Sequence, residues 1–331
     1  MHQNSTLKKL SEMLGISIST VSRALKDHPD ISTKTKLRVK ELAAAMEYEP
    51  NTYAIQLRTN QSRVLGVMVP NVANYFYDSF IAAVEEEARL NEYSVLIMQS
   101  GENAAVELEN LNLLRRNRIA GLFVSLTTET KEIKSFLKLN DIDVPVIFFD
   151  RVPEFEACNK ICLADKDAAR IAAEAIIAKK KKYVLGLFGH LNLSISKKRL
   201  ESFKETFEQK SPQTKIDIAI QLNEEEAKQI TAKKLTAKKR PDAIFCMGDL
   251  TLIGVMQAIQ EKKLRIPEDI GVITISNGFI PTLYYPKITY VETSGYKLGK
   301  LAFTRMMSCL AGSSFVRELT IDSILVEGGS L

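Results

Sequence analysis

The sequence predicts an α/β protein. An N-terminal three-helix head with a helix-turn-helix and a hinge helix is followed by a two-lobed domain built on parallel sheets. In the first fifty positions, apolar residues recur at helical spacing between capping and turn residues. From Val64 onward, short β-branched runs alternate with helical segments, a pattern typical of βαβ units. At 331 residues, the chain is also too long for one small core.

The distribution of charge indicates a polyanionic partner for the first part of the chain. The net charge is +5, and the segment up to Arg63 contributes +4 of it, with ten basic and six acidic residues. The rest of the chain is close to neutral. A basic excess confined to one end favours binding to nucleic acid.

Other features of the sequence argue against a membrane protein, a secreted protein and an enzyme. No apolar run has the length of a bilayer span, and the N-terminus lacks the apolar segment and cleavage site of a secretion signal. We therefore expect a cytoplasmic protein with no membrane partner. The four cysteines are scattered, which predicts free thiols. The sequence has no phosphate loop, nucleophile motif or metal-ligand cluster, so neither a cofactor nor an enzyme is predicted.

Two short helices joined by a tight turn are predicted at the start of the chain. Thr6 is a candidate N-cap of the first helix, and Gly15 ends it. Ser17 then caps the second helix, ISTVSRAL. The side chains on or near its outward face are Ile18, Ser19, Thr20, Ser22 and Arg23. Small polar groups and one arginine on a second helix are typical of a recognition helix in the major groove.

A third helix is predicted from Ser32 onward. We expect Leu37, Leu42 and Met46 to complete a three-helix core, while the basic residues of this helix stay solvated. Pro50 ends the helical pattern. The next segment, NTYAIQLRTNQS, has helical potential but is too short to be stable alone, which predicts a hinge.

Ten strands are predicted after the hinge, which is too many for one core. They are VLGVMVP, YSVLIMQ, AGLFVSL, PVIFFD, KICLAD, YVLGLFG, IDIAIQL, AIFCMG, GVITIS and ITYVE. Two similar sheets that face each other across a cleft are the economical arrangement. Ligands of open α/β sheets bind beyond the carboxyl ends of the strands.

This rule selects a set of candidate ligand-binding residues. They are Asn71, Asn74, Tyr75, Phe76, Ser125, Asp150, Arg151, His190, Ser196, Arg199, Asp249, Asn277 and Glu292. Aromatic rings, carboxylates, amides and an arginine together suit a polyhydroxylated or otherwise polar metabolite. A purely structural role stays open for four of them: Asp150 and Arg151 could form only an ion pair, Asp249 could cap a helix, and His190 could support its loop.

Several segments resemble the LacI/GalR family of transcription regulators. They are GISISTVSRAL, EYEPNTYAIQLR, YFYDSFIAAVEEEA, VIFFDR, FGHLNLSISKKRLESF, IPEDIGVITIS and VEGGS. The resemblance implies a DNA-binding domain at 1–50, a hinge helix at 51–62 and a two-lobed, periplasmic-binding-protein-like (type I) domain at 63–331. Lobe one is expected at about 63–155 plus 292–320, and lobe two at about 160–288 plus the C-terminal end.

The resemblance also implies which residues bind DNA. The predicted set is Thr6, Ser17, Ile18, Ser19, Thr20, Ser22, Arg23, Asn51, Ala54, Leu57 and Arg58. Ile18 and Ser19 would choose base pairs, and the polar neighbours would contact phosphates or base edges. In the hinge, Ala54 would let two paired helices approach, and Leu57 would wedge into the minor groove.

For the two-lobed domain, the resemblance matches Arg199 and Asp150 to residues that bind an effector. The predicted effector-binding set is Asn74, Tyr75, Phe76, Ser125, Asp150, Ser196, Arg199, Asp249, Asn277 and Glu292. Gly248-Asp249 and Ser276-Asn277 depart from the pairs common in the family, and the chain has no tryptophan. These departures leave the effector's identity open.

We therefore expect a homodimeric repressor that binds double-stranded operator DNA. A small-molecule effector, a carbohydrate or related metabolite, would modulate its DNA affinity. The alternative is a solute-binding protein of the same two-lobed fold with no role in gene regulation.

Overall fold

The computed structural model describes residues 7–48, 62–154 and 157–331. The chain forms two compact units, Met1–Gln61 and Ser62–Leu331, which are described in turn. Within the described ranges, no helix is long and apolar enough to span a lipid bilayer.

The N-terminal unit contains the three predicted helices. They are α1 (Leu7–Leu14), α2 (Ile18–Leu25) and α3 (Thr33–Ala45). Gly15 has a φ of +65°, the left-handed conformation that ends α1 and turns the chain towards α2. Ser17 and Ser32 cap α2 and α3, because their side chains accept the backbone N–H groups of Thr20 and Thr35.

The core of this unit differs from the prediction at one position. Its buried residues are Leu10, Val21, Ala24, Val39 and Ala43, and Leu42 and Met46 pack against them. The prediction that Leu37 belongs to the core is wrong, because this residue is 59% exposed. Leu37 precedes Val39 by two positions, which is about 200° around a helix, so the two side chains cannot share a face.

The C-terminal unit contains two six-stranded sheets. Their strands are β1 (Val64–Val69), β2 (Ser94–Gln99), β3 (Gly121–Val124), β4 (Val146–Phe149), β5 (Asn159–Leu163), β6 (Tyr183–Phe188), β7 (Lys215–Ile220), β8 (Ala243–Cys246), β9 (Gly271–Ser276), β10 (Thr289–Glu292), β11 (Glu318–Ile321) and β12 (Ile324–Val326). The first sheet has the order β11-β5-β4-β3-β1-β2, and the second has the order β12-β10-β9-β8-β6-β7. The described strand pairs are parallel, except for the antiparallel pair β10 and β12. All ten predicted strands are present as β1 to β10, whereas β11 and β12 were not predicted.

Helices cover both faces of each sheet. They are α4 (Tyr75–Leu90), α5 (Ala104–Arg116), α6 (Lys134–Leu137), α7 (Asp165–Ala178), α8 (Ser194–Lys210), α9 (Glu224–Leu235), α10 (Asp249–Glu261) and α11 (Gly295–Leu310), with short 3-10 turns at Asn140–Ile142 and Ile280–Leu283. In the first sheet, Val67 faces one core cluster and its neighbour Met68 faces the other. Helices α4 and α11 pack closely together at Gly299. A Cβ atom on this residue would lie 2.7 Å from the Phe80 carbonyl oxygen, which is too close for a side chain.

The chain passes between the two lobes after β5, after β10 and between β11 and β12. Strand β5 therefore belongs to lobe one, although residues from about 160 were expected in lobe two. Strand β10 lies entirely in lobe two, so lobe one resumes after Glu292 and not at it. Strand β5 belongs to lobe one because it pairs in parallel with β4 and β11. The chain therefore leaves lobe one only after Leu163.

Candidate DNA-reading helix and ligand cleft

The outward face of α2 carries the side chains predicted to contact DNA. Ser17, Ile18, Ser19 and Arg23 are exposed, and Thr20 and Ser22 are half-buried. The Ser17 hydroxyl lies 2.7 Å from the Ser19 hydroxyl and 2.8 Å from that of Thr20. These hydroxyls surround the positive end of the helix dipole, an arrangement that suits a phosphate.

Arg23 is the cationic group on this face. Its side chain is 59% exposed, and Nη1 lies 4.0 Å from a carboxylate oxygen of Asp30. Such a long, exposed ion pair contributes little, so the guanidinium is available to another anion. Val21 and Ala24 are buried on the opposite side of the helix. The predicted contact residues Thr6, Asn51, Ala54, Leu57 and Arg58 lie outside the described residues.

A cleft of about 380 Å³ lies at the carboxyl edges of the two sheets. Each strand from β1 to β10 ends at, or shortly before, a residue that lines it. In chain order, these residues include Asn74, Glu102, Thr128, Asp150, Leu163, His190, Gln221, Asp249, Asn277 and Thr293. This placement is the one expected for a ligand site in open parallel sheets, and the volume suits a small molecule.

A buried ion pair holds Arg199 at the cleft. Its Nη2 and Nε atoms lie 2.7 Å and 2.8 Å from one carboxylate oxygen of Asp165, and both side chains are almost fully buried. Nη1 donates to the Met247 carbonyl at 2.9 Å. Burial raises the pKa of the Asp165 carboxyl, and the neighbouring guanidinium opposes this rise. The pair therefore joins α7 to α8 and fixes the direction of the guanidinium.

A second ion pair lies in lobe one. Arg151 Nη1 is 2.5 Å from a carboxylate oxygen of Glu102, whose other oxygen accepts the Thr128 N–H at 3.0 Å. From the sequence, an ion pair between Asp150 and Arg151 was one of the two interpretations of these residues. The hydrogen-bonded partner of Arg151 is instead Glu102, which lies forty-nine positions earlier in the chain.

Asp150 is the buried carboxyl of lobe one. It accepts a hydrogen bond from the Tyr77 hydroxyl at 2.9 Å, and the Ser125 hydroxyl lies 2.9 Å from the same Tyr77 oxygen. Burial raises the pKa of Asp150, and the nearby guanidinium of Arg151 opposes this rise. Among the described residues, no basic group lies within hydrogen-bond distance of Asp150. Its remaining acceptor capacity can serve a hydroxyl or amine of a ligand.

Asp249 is the corresponding carboxyl of lobe two. It accepts hydrogen bonds from the Ser276 hydroxyl at 2.5 Å and from the Asn277 N–H at 3.4 Å. Burial raises its pKa, and these two hydrogen bonds oppose the rise. The N-cap position of α10 is taken by Gly248, so Asp249 does not cap this helix with its side chain. The described ranges contain no group of three metal-ligating side chains, and the cleft carboxyls do not form one.

Six of the ten predicted effector residues line the cleft: Asn74, Phe76, Asp150, Arg199, Asp249 and Asn277. The other four do not line it. The Tyr75 ring packs on Phe279, Ser125 bonds to Tyr77, Ser196 is buried within lobe two, and Glu292 pairs with Lys297 at 2.8 Å. Phe76 lines the cleft, whereas its neighbour Tyr75 packs its ring on Phe279.

The cleft also contains residues that the sequence analysis missed. They include Tyr77, Glu102, Thr128, Gln221, Asn223 and Thr293. Glu102 and Gln221 follow the predicted strands β2 and β7, so the strand-end rule would have found them if it had been applied to every strand. Tyr77 carries no such signal, because it lies within an apolar helical stretch.

Comparisons with known proteins agree with this architecture. Residues 6–51 match the family model for bacterial regulatory proteins of the lacI family, and residues 173–331 match a periplasmic binding protein-like domain. The HTH-type transcriptional repressor PurR of Vibrio atlanticus is 26% identical over 300 residues, 90% of each chain. Catabolite control protein A of Priestia megaterium is 23% identical over 327 residues, 98% of this chain and 96% of that protein.

Structural similarity extends over the whole chain. A crystal structure of the lac repressor dimer bound to operator and the anti-inducer ONPF has a TM-score of 0.88 at 23% identity, and 99% of each chain is covered. This match shows the fold. A helix-turn-helix head attached to a two-lobed cleft defines a DNA-binding transcription regulator with a ligand-sensing domain.

The chain therefore combines a DNA-binding domain of the lacI family, at residues 6–51, with a periplasmic binding protein-like domain, at residues 173–331. Its curated relatives are transcriptional regulators and not enzymes.

Replacing Asp150 with Asn tests how much the buried carboxyl destabilises the folded protein. Its pKa is higher in the folded state than in the unfolded chain, so wild-type stability falls as the pH rises through the interval between the two values. We expect Asp150→Asn to melt a few degrees above wild type at about pH 8 and to lose this advantage towards about pH 4.

Thermal melting across that pH range is the measurement. Asp141→Asn removes an exposed carboxylate of the same lobe and serves as the control. The interpretation is wrong if Asp150→Asn and wild type have melting temperatures with the same dependence on pH.

Proposed function

We propose that the protein is a homodimeric, cytoplasmic repressor that binds operator DNA through α2 and responds to an uncharged polar effector in the cleft. The main support for this proposal is that strands of both sheets end at the same cleft. Ten strands end at one cleft, and nine of them bring a polar side chain to it, in a chain that also has a helix-turn-helix head. The alternative function, solute binding without gene regulation, leaves the exposed polar face of α2 unexplained.

Binding of α2 in a major groove is supported by what this helix exposes. Ile18 and Ser19 lie at its N-terminal end, where a recognition helix contacts base edges. Both are exposed, although Ile18 is apolar and could have packed in the core. Arg23 lies on the same open side and can reach a phosphate or a guanine edge.

The charge of the cleft supports an uncharged effector. Its two guanidinium groups are already paired, Arg151 with Glu102 and Arg199 with Asp165. The two remaining carboxyls, Asp150 and Asp249, have no basic hydrogen-bond partner among the described residues. A phosphate or carboxylate would therefore meet a surplus of negative charge. A polyol such as a sugar donates hydroxyl hydrogens to both carboxyls without this repulsion.

A homodimer is supported by an apolar surface at one edge of lobe one. Strand β2 is one of the two edge strands of the first sheet, and Leu96 and Ile97 are exposed on it. Helix α5 adds exposed Val106, Leu108 and Leu113. Unpaired edges with apolar side chains favour association, and a symmetric dimer would present two heads to a near-palindromic operator.

Replacing Arg23 with Ala tests the proposed recognition helix. We expect the affinity for an operator, selected from random duplexes with the wild-type protein, to fall at least about tenfold at physiological salt. Fluorescence anisotropy with labelled duplex is the measurement. Arg38→Ala, an exposed arginine on α3, is the matched control and should change the affinity much less. Equal losses in the two variants would show that α2 is not the reading helix.

A matched set of sugars tests the charge of the effector. We expect thermal shift and calorimetry on the full-length protein to detect a neutral pentose or hexose, and to detect neither its phosphate ester nor its sugar acid. Glu102→Gln frees Arg151 and should raise the affinity for the phosphate ester about tenfold, because an unpaired guanidinium binds phosphate strongly.

The matched control is Glu109→Gln, which removes the same charge from the exposed surface of α5 and should leave the preference unchanged. Tighter binding of the phosphate ester or acid than of the neutral sugar by the wild-type protein would contradict the proposed effector class.

A further inference from the structure

Asn277 occupies a position between the two lobes. It follows β9 of lobe two, and its side-chain NH₂ donates to the Tyr75 backbone carbonyl of lobe one at 3.3 Å. Its side-chain oxygen accepts the N–H of Gly295, the first residue of α11, at 3.0 Å. Helices α4 and α11 both belong to lobe one, so a single amide joins lobe two to two helices of the other lobe.

The chemistry of both contacts requires an amide. One contact needs a donor facing a carbonyl oxygen, and the other needs an acceptor facing an N–H group. An aspartate at this position could serve Gly295, but its carboxylate would face the Tyr75 carbonyl and repel it. The contact with Tyr75 therefore depends on the NH₂ group of Asn277.

The aromatic rings beside Asn277 make a second contact across the same gap. The ring centroids of Tyr75 in lobe one and Phe279 in lobe two are 5.2 Å apart. Both residues are well exposed, at 42% and 50%, so the pair is a contact at the surface and not part of either core. The polar contact and the ring contact involve the same first residue of α4.

Asp249 connects this contact to the cleft. It lines the cleft, and it accepts hydrogen bonds from the Ser276 hydroxyl and the Asn277 N–H. A ligand hydroxyl that donates to Asp249 would share its carboxylate oxygens with these two donors, so the ligand and the Ser276–Asn277 segment would bond to the same group. The Asp249 carboxyl, which a ligand can contact, is therefore connected to the backbone of lobe one through Ser276 and Asn277.

We propose that Asn277 is a latch between the lobes and that Asp249 is the residue that positions it in response to the cleft's occupant. The latch consists of Asn277, Tyr75 and Phe279. Its state sets how the two lobes sit relative to each other, and through them the affinity for operator DNA. The link to DNA rests on the proposed function, whereas the latch itself does not.

Hydrogen–deuterium exchange on the full-length protein tests the latch without any ligand. Asn277→Ala and Asn277→Asp both remove the NH₂ donor, and Asn277→Asp keeps the shape and the acceptor for Gly295. We expect both variants to exchange about 3- to 10-fold faster than wild type in two segments, the 276–279 loop and the start of α4. Phe279→Ala should give a smaller increase in the same two segments, and Asp249→Ala should reproduce the effect of Asn277→Ala.

Asn117→Ala is the matched control. Its side-chain NH₂ donates to the Leu113 carbonyl within lobe one at 2.9 Å, so it loses a similar hydrogen bond that joins nothing across the gap. Faster exchange in lobe two alone would show that Asn277 only supports its own loop, and this result would overturn the proposal. Unchanged exchange in Asn277→Asp would overturn it too, since that variant keeps the fold.

Operator affinity is the second readout. The two Asn277 variants should shift the operator Kd in the same direction by about 3- to 10-fold, and Asn117→Ala should not. Faster exchange with an unchanged Kd would contradict the proposed role in regulation. If wild-type protein binds no duplex at all, the proposed function fails, and the exchange comparison still decides whether the latch exists.

Discussion

The carboxyl ends of two parallel sheets meet at one gap, and the rest of the C-terminal unit depends on this constraint. Parallel strands need long connections, and each connection starts at the same edge of its sheet. Ten strands therefore deliver residues as distant in sequence as Asn74 and Thr293 to a single cleft. The cores lie behind this edge and hold it rigid. Ligand chemistry can then vary at the strand ends without disturbing the packing of either lobe.

The charge pairing in this cleft supports the proposed uncharged ligand. A guanidinium held by a buried carboxylate keeps a fixed direction, but much of its attraction for other anions is already satisfied. The unpaired carboxyls Asp150 and Asp249 face the same space from opposite lobes, so a ligand that bonds to both would draw the lobes together. Through Asn277, Asp249 is also in contact with the first turn of α4. Ligand binding in the cleft and the relative position of the two lobes would therefore depend on the same few hydrogen bonds.

Local signals in the sequence were sufficient for much of the fold. Gly15, the cap Ser17, the third helix beginning near Ser32 and the strands β1 to β10 all follow from short-range chemistry, and the structure confirms them. Leu37 was misplaced because an apolar residue on a short helix does not show by itself which face is buried. The site was harder to predict. Arg151 meets Glu102 across forty-nine positions, and whether Tyr75 or Phe76 enters the cleft depends on the exact rotation of α4, which the strand-end rule does not specify.

We expect the occupant of the cleft and the DNA bound by the head to influence each other's binding. The most direct test of this expectation is the operator Kd of the wild-type protein with and without a saturating neutral ligand identified by thermal shift. A change of about fivefold or more is expected, and by linkage the operator should change the affinity for the ligand by the same factor. A ligand that binds the cleft tightly while the operator Kd stays the same would contradict the account.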